Sequence, residues 1–548
     1  MSDPQSGLQQ KISPQALAVV LLVPVSITLF AVGLFPVRDG GDQWWHLKTG
    51  KYLLEVKFNF PEEDVFSFTG KGHRWANHEW LADTLMYLGY RTFGLRGLIL
   101  LKCTVLLVAF LLVGLLIYRR TGHLLWSMLG AVMAAWTSQY SVHLRPPVLT
   151  YLMMALFLHL MLNLERGKSV RLNQIYCFLL MVLWINLHGG AILGIIISGA
   201  FFSGNLMSWF AGGMTRKPLE ELAVFRQLTR RFGLNLVLVI LASLCNPFTY
   251  QIHLLTLKVM QSKHLTGLIS ELQMPNLHHT TGYLLLVLFL VLFGLMAIRR
   301  VKPAEGLLVM FFLHQSLNHV RHLPLFAIVV TPILFETIVC WHRGLLEHSA
   351  AAVRRSGGVL LKILPVLILL LCFRVIRENW TGRIQLFFSE KQGYVRQGAP
   401  HDAVDFVIHH KIPGPMYNPI NFSGLLIWRL SPEYTQTFTD SRFDIFGDQV
   451  ILDCLAIENA QAEGPDPESR QAHFLDMQKK GDQRPYWAFA LDKYEINFMI
   501  LARDCRLHWV LNHFPNSGWA KVYEDFGYAV YVKDVAENSE VIQRSRLP

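Results

Sequence analysis

Residues Leu95–Tyr118 read LRGLILLKCTVLLVAFLLVGLLIY and run straight into Arg119-Arg120. A bilayer core is crossed by roughly 20 mostly apolar helical residues, and a basic flank of this kind stays on the cytoplasmic side. The pattern recurs outward from this stretch. Further apolar runs are Ala16–Phe35, Leu124–Tyr140, Val148–Leu164, Leu172–Ile185, Ala191–Trp209, Leu234–Leu244, Tyr283–Ile298, Leu307–Leu317, Pro324–Cys340 and Val359–Phe373. The expected fold is an α-helical polytopic membrane bundle of about eleven transmembrane helices, several shorter than an ideal span. Composition agrees: the 548 residues are 52% hydrophobic and 16% charged, against about 25% charged in soluble proteins. Ala16–Phe35 follows a short tail containing Lys11. It is long for a signal-peptide core and lacks a small-residue cleavage site, so a retained anchor is expected.

Basic clusters orient the bundle. Arg119-Arg120, the stretch Glu165 to Arg171, Arg216-Lys217 with Arg226, Arg230 and Arg231, Arg299-Arg300 with Lys302, and His342-Arg343 with Arg354-Arg355 all fall in alternate loops. The positive-inside pattern places these loops and the N-terminus in the cytoplasm, and the C-terminal domain outside. A multi-pass protein of a bacterial inner membrane is expected. The polar segments around Asp42, His143, His188, Asn246, Glu271 and Arg321 then share the outer face.

The net charge of +11 is thereby explained by loop placement. Nucleic-acid binding is not expected, because no recognised RNA or DNA motif is present. Five of the seven cysteines, Cys103, Cys177, Cys245, Cys340 and Cys372, lie in or beside apolar runs, where a thiol behaves as a small hydrophobe. Cys454 and Cys505 fall in the polar C-terminal region, where a disulfide between them stays open.

The segment from Arg38 to Trp80 is the longest expected outer loop. Trp44, Leu47 and Leu54, with Trp45 and Leu53 beside them, have the spacing of an amphipathic helix over Trp44–Val56, and a Trp-rich helix of this type lies in the membrane interface. Asp42 and His46 are four apart and share one helix face. One reading makes Asp42 or Asp39 a general base, or makes Asp42 a divalent-metal ligand (Mg or Mn) with His46, His78 or Glu79, since carboxylate and imidazole suit such ions. The other makes Asp42 a helix cap and the tryptophans interfacial anchors.

Outer helix ends carry the remaining candidates. His143 and Arg145 precede a proline pair, and Arg321-His322 lie between two apolar runs. An arginine at membrane depth is paired or lines an aqueous cavity, and it binds phosphate bidentately. Snorkelling to headgroups is the plainer reading. His188-Gly189-Gly190 is either a ligand-approach loop or a tight interhelical turn. Glu271 is either a metal ligand or the partner of an arginine.

Taken together, Asp42 beside Trp44-Trp45-His46-Leu47-Lys48-Thr49-Gly50, Pro61-Glu62-Glu63-Asp64, His78-Glu79-Trp80-Leu81, Asn186 to Gly190, Arg321 to Phe326 and Thr439 to Asp444 resemble a bacterial family of membrane proteins related to the GT-C class of glycosyltransferases. The resemblance covers most of the chain. It implies a polyprenyl-phosphate-linked sugar donor and a catalytic acid in the first outer loop. Where the family often shows two acids separated by one residue before the Trp pair, Gly40 occupies the first position and Asp39 is displaced by one, so Asp42 is the better-matched base.

After Phe373 the composition turns mixed and polar. Residues 1–375 are read as the membrane domain, with its loop 38–80, and 376–548 as an extracytoplasmic α/β domain. Expected strands are Pro415–Tyr417, Gly424–Leu430, Glu495–Leu501, Ala520–Tyr523 and Tyr528–Val532; expected helices are Ala403–His409 and Gln449–Gln461; Gly464–Pro485 reads as a flexible link. Thr439-Asp440-Ser441-Arg442-Phe443-Asp444 is either a substrate-contacting loop or a structural Asp–Arg turn.

The expected activity is transfer of a sugar from a lipid-linked donor to an acceptor on the outer face. His46, His78, Glu79, His143, Arg145, His188, Glu271, Arg321 and His322 are the candidate substrate contacts. The rival readings are a lipid or sugar transporter or flippase, and a non-catalytic envelope assembly protein on the same scaffold.

Overall fold

A computed structural model of the chain describes residues 14–34, 37–38, 41–255, 270–275, 301–348, 351–379, 394–395, 398–443, 445–481, 483–514 and 517–547. The expected eighth span, Tyr283–Ile298, and the candidate Asp39 lie outside them. The chain divides into two compact units. One comprises 1–35, 96–249 and 269–389, and the other 36–95, 250–268 and 390–548. The sequence reading followed chain order and counted the loop 38–80 with the membrane helices. The division by contacts instead groups that segment with the C-terminal region.

The helical unit is built from α1 (Pro14–Val32), the greater part of α3 (Trp80–Thr121), α4 (Leu124–Ser138), α5 (Pro147–Glu165), α6 (Val170–Leu187), α7 (Ile192–Met214), α8 (Leu219–Ser243), α9 (Pro303–Asn318), α10 (Leu323–His348) and α11 (Ala351–Asn379). The expected spans other than the eighth overlap these helices, and Ala16–Phe35, Leu124–Tyr140, Ala191–Trp209 and Leu234–Leu244 extend past their ends. Among the described residues, five segments are long and apolar enough to cross a membrane by length and composition: Trp80–Thr121, Pro147–Glu165, Val170–Leu187, Gly189–Met214 and Val320–Gly344. Val19–Val32 and Leu124–Ser138 are apolar but shorter.

Small residues let these helices pack closely, the usual device where lipid removes the hydrophobic drive between helices. A Cβ on Gly204 of α7 would stand 2.3 Å from the backbone nitrogen of Ala304 in α9, and one on Gly33 would stand 2.7 Å from Cα of Cys103 in α3. Pro24, Pro332 and Pro365 sit inside α1, α10 and α11, as membrane helices tolerate when neighbours satisfy the freed carbonyls. Within α3, Gly94 adopts φ 65°, ψ −172° and interrupts the helix. That left-handed backbone favours glycine, and the chain passes from one unit to the other just after it.

The second unit contains α2 (Gln43–Glu55), the start of α3, and a mixed four-stranded sheet. Its strands are β3 (Met416–Tyr417), β4 (Phe498–Ala502), β5 (Trp519–Glu524) and β6 (Tyr528–Lys533), in the order β3-β4-β6-β5. β3 runs parallel to β4, and the two pairs involving β6 are antiparallel. Around the sheet lie α12 (His401–His409), α13 (Ser423–Arg429), α14 (Asp448–Glu458), α15 (Pro467–Lys480), α16 (Tyr486–Lys493), α17 (Arg506–His513) and α18 (Ser539–Ser545). One apolar core holds Tyr417, Phe438, Tyr486, Met499 and Tyr531; the other holds Val404, Phe422, Leu426, Ile500 and Val530. Each strand of the sheet thus feeds alternate side chains to two cores.

Two expectations are corrected here. Gly424–Leu430 is not a strand: Ser423–Arg429 forms the two-turn helix α13. A short, mostly apolar run does not distinguish the two states, and Gly424 lets this helix approach the Gly41 carbonyl, which a Cβ would meet at 2.6 Å. Gly464–Pro485 is not a flexible link, because it contains α15. Asp466 caps that helix by accepting from the Ser469 nitrogen at 2.9 Å, Pro467 opens it, and Gly481 ends it at φ 68°. These are ordinary helix boundary signals, set in a polar stretch that hides the helix from a hydrophobicity reading.

Two short parallel pairings join the loop after α1 to the C-terminal region within this unit. β1 (Val37–Arg38) pairs with β2 (Tyr394–Val395), and Ser67 bridges Thr437. Around the bridge, the Thr437 nitrogen donates to the Phe66 carbonyl at 3.0 Å and the Phe68 nitrogen to the Thr437 carbonyl at 3.1 Å.

Candidate functional site

The candidates fall into two groups, one in each unit. In the sheet-containing unit, α2 begins directly after Asp42. Asp42 occupies the cap position but makes no capping bond. Its Oδ1 instead accepts the Ser441 hydroxyl at 2.6 Å, and Ser441 Oγ accepts the Trp45 indole N–H at 3.2 Å. A two-link hydrogen-bond chain thus runs from an indole through a serine to the carboxylate. The tryptophans of α2 do not face outward as interfacial anchors. Trp44 is 5% and Trp45 8% exposed. Trp44 packs against Trp428 at 5.8 Å and Tyr90 at 6.4 Å between ring centres. The amphipathic period was legible, but its apolar face is covered by protein.

One turn beyond Asp42, His46 is buried against the start of α3. Its Nδ1 lies 2.7 Å from Asp83 Oδ1 and 3.8 Å from Glu79 Oε2. The other Asp83 oxygen accepts from Asn77 Nδ2 at 3.0 Å, and the Glu79 nitrogen donates to Asn77 Oδ1 at 2.9 Å. His78 Nε2 stands 3.8 Å from Glu79 Oε1. Gly50 makes the approach of α2 possible, since a Cβ there would meet the Asp83 carbonyl oxygen at 2.1 Å. Burial is the largest influence on His46 and pulls its pKa down, but the charge and hydrogen bond of Asp83, with Glu79 and Asp42 behind them, outweigh it and hold the pKa above 6.5. The Asp83 carboxylate thus favours the charged form of the buried His46 ring.

Among the described residues, no three His, Cys, Asp or Glu side chains are grouped to hold a metal ion. Asp42 Oδ1 is engaged by Ser441 and His46 Nδ1 faces Asp83.

The sequence reading missed Asp83, Asn77 and Asp64 as members of this region. Asp64 and Asp440 flank Arg442. The guanidinium reaches Asp64 at 2.7 and 3.1 Å and Asp440 at 2.9 and 2.6 Å. It also lies 5.1 to 6.0 Å from the ring centres of Trp75, Phe66 and Trp45. All three charged residues are buried. Burial tends to lift the Asp64 carboxyl, but Arg442 pulls it below the usual range. Burial and the neighbouring Asp64 leave Asp440 raised despite Arg442. The Asp–Arg turn is thus structural, and it places Ser441 between its two charged members. Asp444 lies outside the described residues.

Cys454 and Cys505 are both free and buried in the first apolar core. Burial pushes the Cys505 thiol up to about 11, which keeps it protonated and inert.

In the helical unit, Arg145 NH1 lies 3.1 Å from each Glu271 oxygen, and His143 Nε2 lies 3.7 Å from Glu271 Oε1. Glu271 is an ion-pair partner here. His188 Nδ1 is 2.9 Å from Thr150 Oγ1 and accepts the Gly190 nitrogen at 2.8 Å. Trp184 Nε1 donates to the same threonine at 3.0 Å. The His188-Gly189-Gly190 segment is therefore a tight 3-10 turn closed by its own histidine, and a Cβ on Gly190 would stand 2.6 Å from His188 Nδ1. His322 packs edge-on to His319 at 5.2 Å, and His319 Nδ1 bonds the Leu272 carbonyl at 2.7 Å. Arg321 is exposed at this turn. These contacts bring His143, Arg145 and Glu271 together, and His188 meets Thr150.

No family model matches the chain, and no curated protein matches it. Among solved structures, the chain is similar to the arabinofuranosyltransferase AftD from Mycobacteria, with a TM-score of 0.50 and 12% identity over 95% of this chain and 40% of that one. The chain thus spans well under half the length of AftD. It is also similar to ArnT from Cupriavidus metallidurans bound to undecaprenyl phosphate, with a TM-score of 0.46 and 14% identity over 95% of this chain and 97% of that one. The likeness to AftD shows that the two share a fold.

Proposed function

We propose that this chain is a multi-pass membrane glycosyltransferase that moves a sugar from a polyprenyl-phosphate-linked donor to an acceptor on the extracytoplasmic face of a bacterial inner membrane. The observation that carries the reading is the Asp42 carboxylate, held by Ser441 at the head of α2, in a chain of GT-C-like fold. The eleven-span topology with a cytoplasmic N-terminus is part of the same reading.

In this reading Asp42 takes the proton of the acceptor hydroxyl, which requires an ionised carboxylate within hydrogen-bond reach. The acceptor oxygen bonds to the anomeric carbon, and the bond from that carbon to the phosphate oxygen breaks. The electron pair leaves with the polyprenyl phosphate. Within the helical unit by itself, Arg145 and Arg321 are the residues proposed to bind an anionic phosphate group, Arg145 by exchanging its partner Glu271 for it. A general base of this kind contributes about 10²- to 10⁴-fold.

The test is transfer of radiolabelled sugar from membrane lipid extract by purified protein beside its Asp42→Asn variant. Transfer by the wild type and loss in the variant, with lipid binding retained, supports the reading. Equal transfer by both removes Asp42 as the base. Flux without transfer in vesicles turns the assignment to a transporter.

One observation favours a second reading, a non-catalytic assembly platform. The strongest charged groups, Arg442 with Asp64 and Asp440, and Arg145 with Glu271, satisfy one another within the fold. An envelope phenotype unchanged by Asp42→Asn supports that alternative.

A further inference from the structure

The helical unit has a second polar feature, at the end of α5 away from Arg145 and the end of α6 away from His188. A cavity of about 140 Å³ opens where α3 and α5 end and α9 begins, lined by Arg120, Leu162, Glu165, Arg166, Lys302 and Glu336. Five of these six residues are charged, and their partners are unevenly satisfied. Arg120 NH1 alone serves two carboxylates, Glu305 at 2.9 Å and Glu336 at 2.8 Å. Its Nε is buried with no hydrogen-bond partner, and so is Oε2 of Glu305. Lys302 pairs with Glu165 at 2.7 Å, and Arg166 NH2 donates to the Arg119 carbonyl at 2.6 Å.

Buried polar groups left unpaired cost free energy, and a polar cavity beside them is a place where a ligand recovers it. The volume decides the size of that ligand. Pockets that enclose a drug-sized molecule run from roughly 300 to 1,000 Å³, so this one takes a small group. The charges decide its kind. Arg120, Arg166 and Lys302 line it beside Glu165 and Glu336, so both signs face the cavity. A lone anion would meet the cations but also two carboxylates that repel it. A group that carries both signs answers each.

We propose that this cavity binds an aminoalkyl phosphate, the zwitterionic chemistry of an amine-bearing phospholipid headgroup. The arginines and Lys302 hold the phosphate through charge-assisted hydrogen bonds, and Glu165 and Glu336 accept from the primary ammonium. No bond is made or broken. The site is independent of the proposed transfer reaction, so its test does not depend on knowing a sugar substrate.

The experiment is native mass spectrometry of the full-length protein in detergent, with phosphatidylethanolamine, phosphatidylglycerol or phosphatidylcholine added at equal concentration. Wild type is expected to retain phosphatidylethanolamine about tenfold over the other two, the scale of one charged hydrogen bond. Arg166→Ala and Lys302→Ala are expected to lower that retention about tenfold, and Glu165→Gln to abolish the preference over phosphatidylglycerol. Circular dichroism of each variant checks that the helices are intact. Soluble phosphoethanolamine that displaces the lipid assigns recognition to the headgroup alone. Failure to displace, with selectivity retained, assigns it to the membrane-borne form. Equal retention of all three lipids by the wild type, or selectivity surviving all three substitutions in folded protein, overturns the proposal.

Discussion

The Ser441 hydroxyl donates to Oδ1 of Asp42 at 2.6 Å, although the two residues are 399 positions apart. The serine sits between Asp440 and Arg442, which a buried ion-pair network holds in place. The candidate base is therefore oriented by a loop whose position depends on Arg442.

That dependence predicts a graded series. Ser441→Ala removes one hydrogen bond to the carboxylate and is expected to lower sugar transfer about tenfold, while Asp42→Asn lowers it by about 10²-fold or more. Initial rates of transfer at matched protein concentration measure both. A Ser441→Ala rate equal to wild type would show that the serine does not position Asp42.

Arg442 is predicted to matter for folding. Arg442→Met leaves Asp64 and Asp440 buried and facing each other without a cation, a loss of roughly 3–5 kcal/mol for breaking such a pair. Limited proteolysis and thermal unfolding of the full chain read this directly. Arg442→Met combined with Asp64→Asn and Asp440→Asn is expected to recover part of the loss, because no uncompensated charge is left inside.

His46 predicts a pH dependence with a definite sign. Its folded pKa is raised, chiefly by Asp83 acting against burial. Its contribution to stability is therefore fully present below the unfolded value near 6.5 and is lost as pH rises through the folded value. The melting temperature is expected to fall on raising pH from that region, and Asp83→Asn is expected to flatten the fall. A wild-type profile flat across this window would contradict a raised His46 pKa.

Glu271 occupies Arg145. If Arg145 takes the donor phosphate by exchange, Glu271→Gln removes the competing anion and tightens binding of polyprenyl phosphate, by up to about fivefold for one partly exposed ion pair. Arg145→Ala is expected to weaken it. Titration of tryptophan fluorescence with the lipid checks both, and unchanged affinity in Arg145→Ala would remove that residue from the donor site.

Much of the helical unit was legible in the chain. Runs such as Leu95–Tyr118 and Pro324–Cys340 are apolar over the length that a bilayer demands, and that signal is local. Trp44 to Glu55 announced its helix by spacing alone, and Asp42 was singled out on its neighbours. Other features were not local. Nothing within a few residues of Asp83 marks it as the partner of His46, because their pairing depends on Gly50 admitting the start of α3. Asp64 read as part of a turn, and only the meeting of its loop with Arg442 gives it a role.

The sequence by itself determined a helical membrane chain with a mixed C-terminal region, since hydrophobic length and period are written residue by residue. Tertiary structure decided which polar groups are satisfied and by whom. Ser441 meets Asp42, Asp83 meets His46 and Glu271 meets Arg145 across long stretches of chain. A buried charge must find a partner wherever packing brings one, and packing is a property of the whole fold.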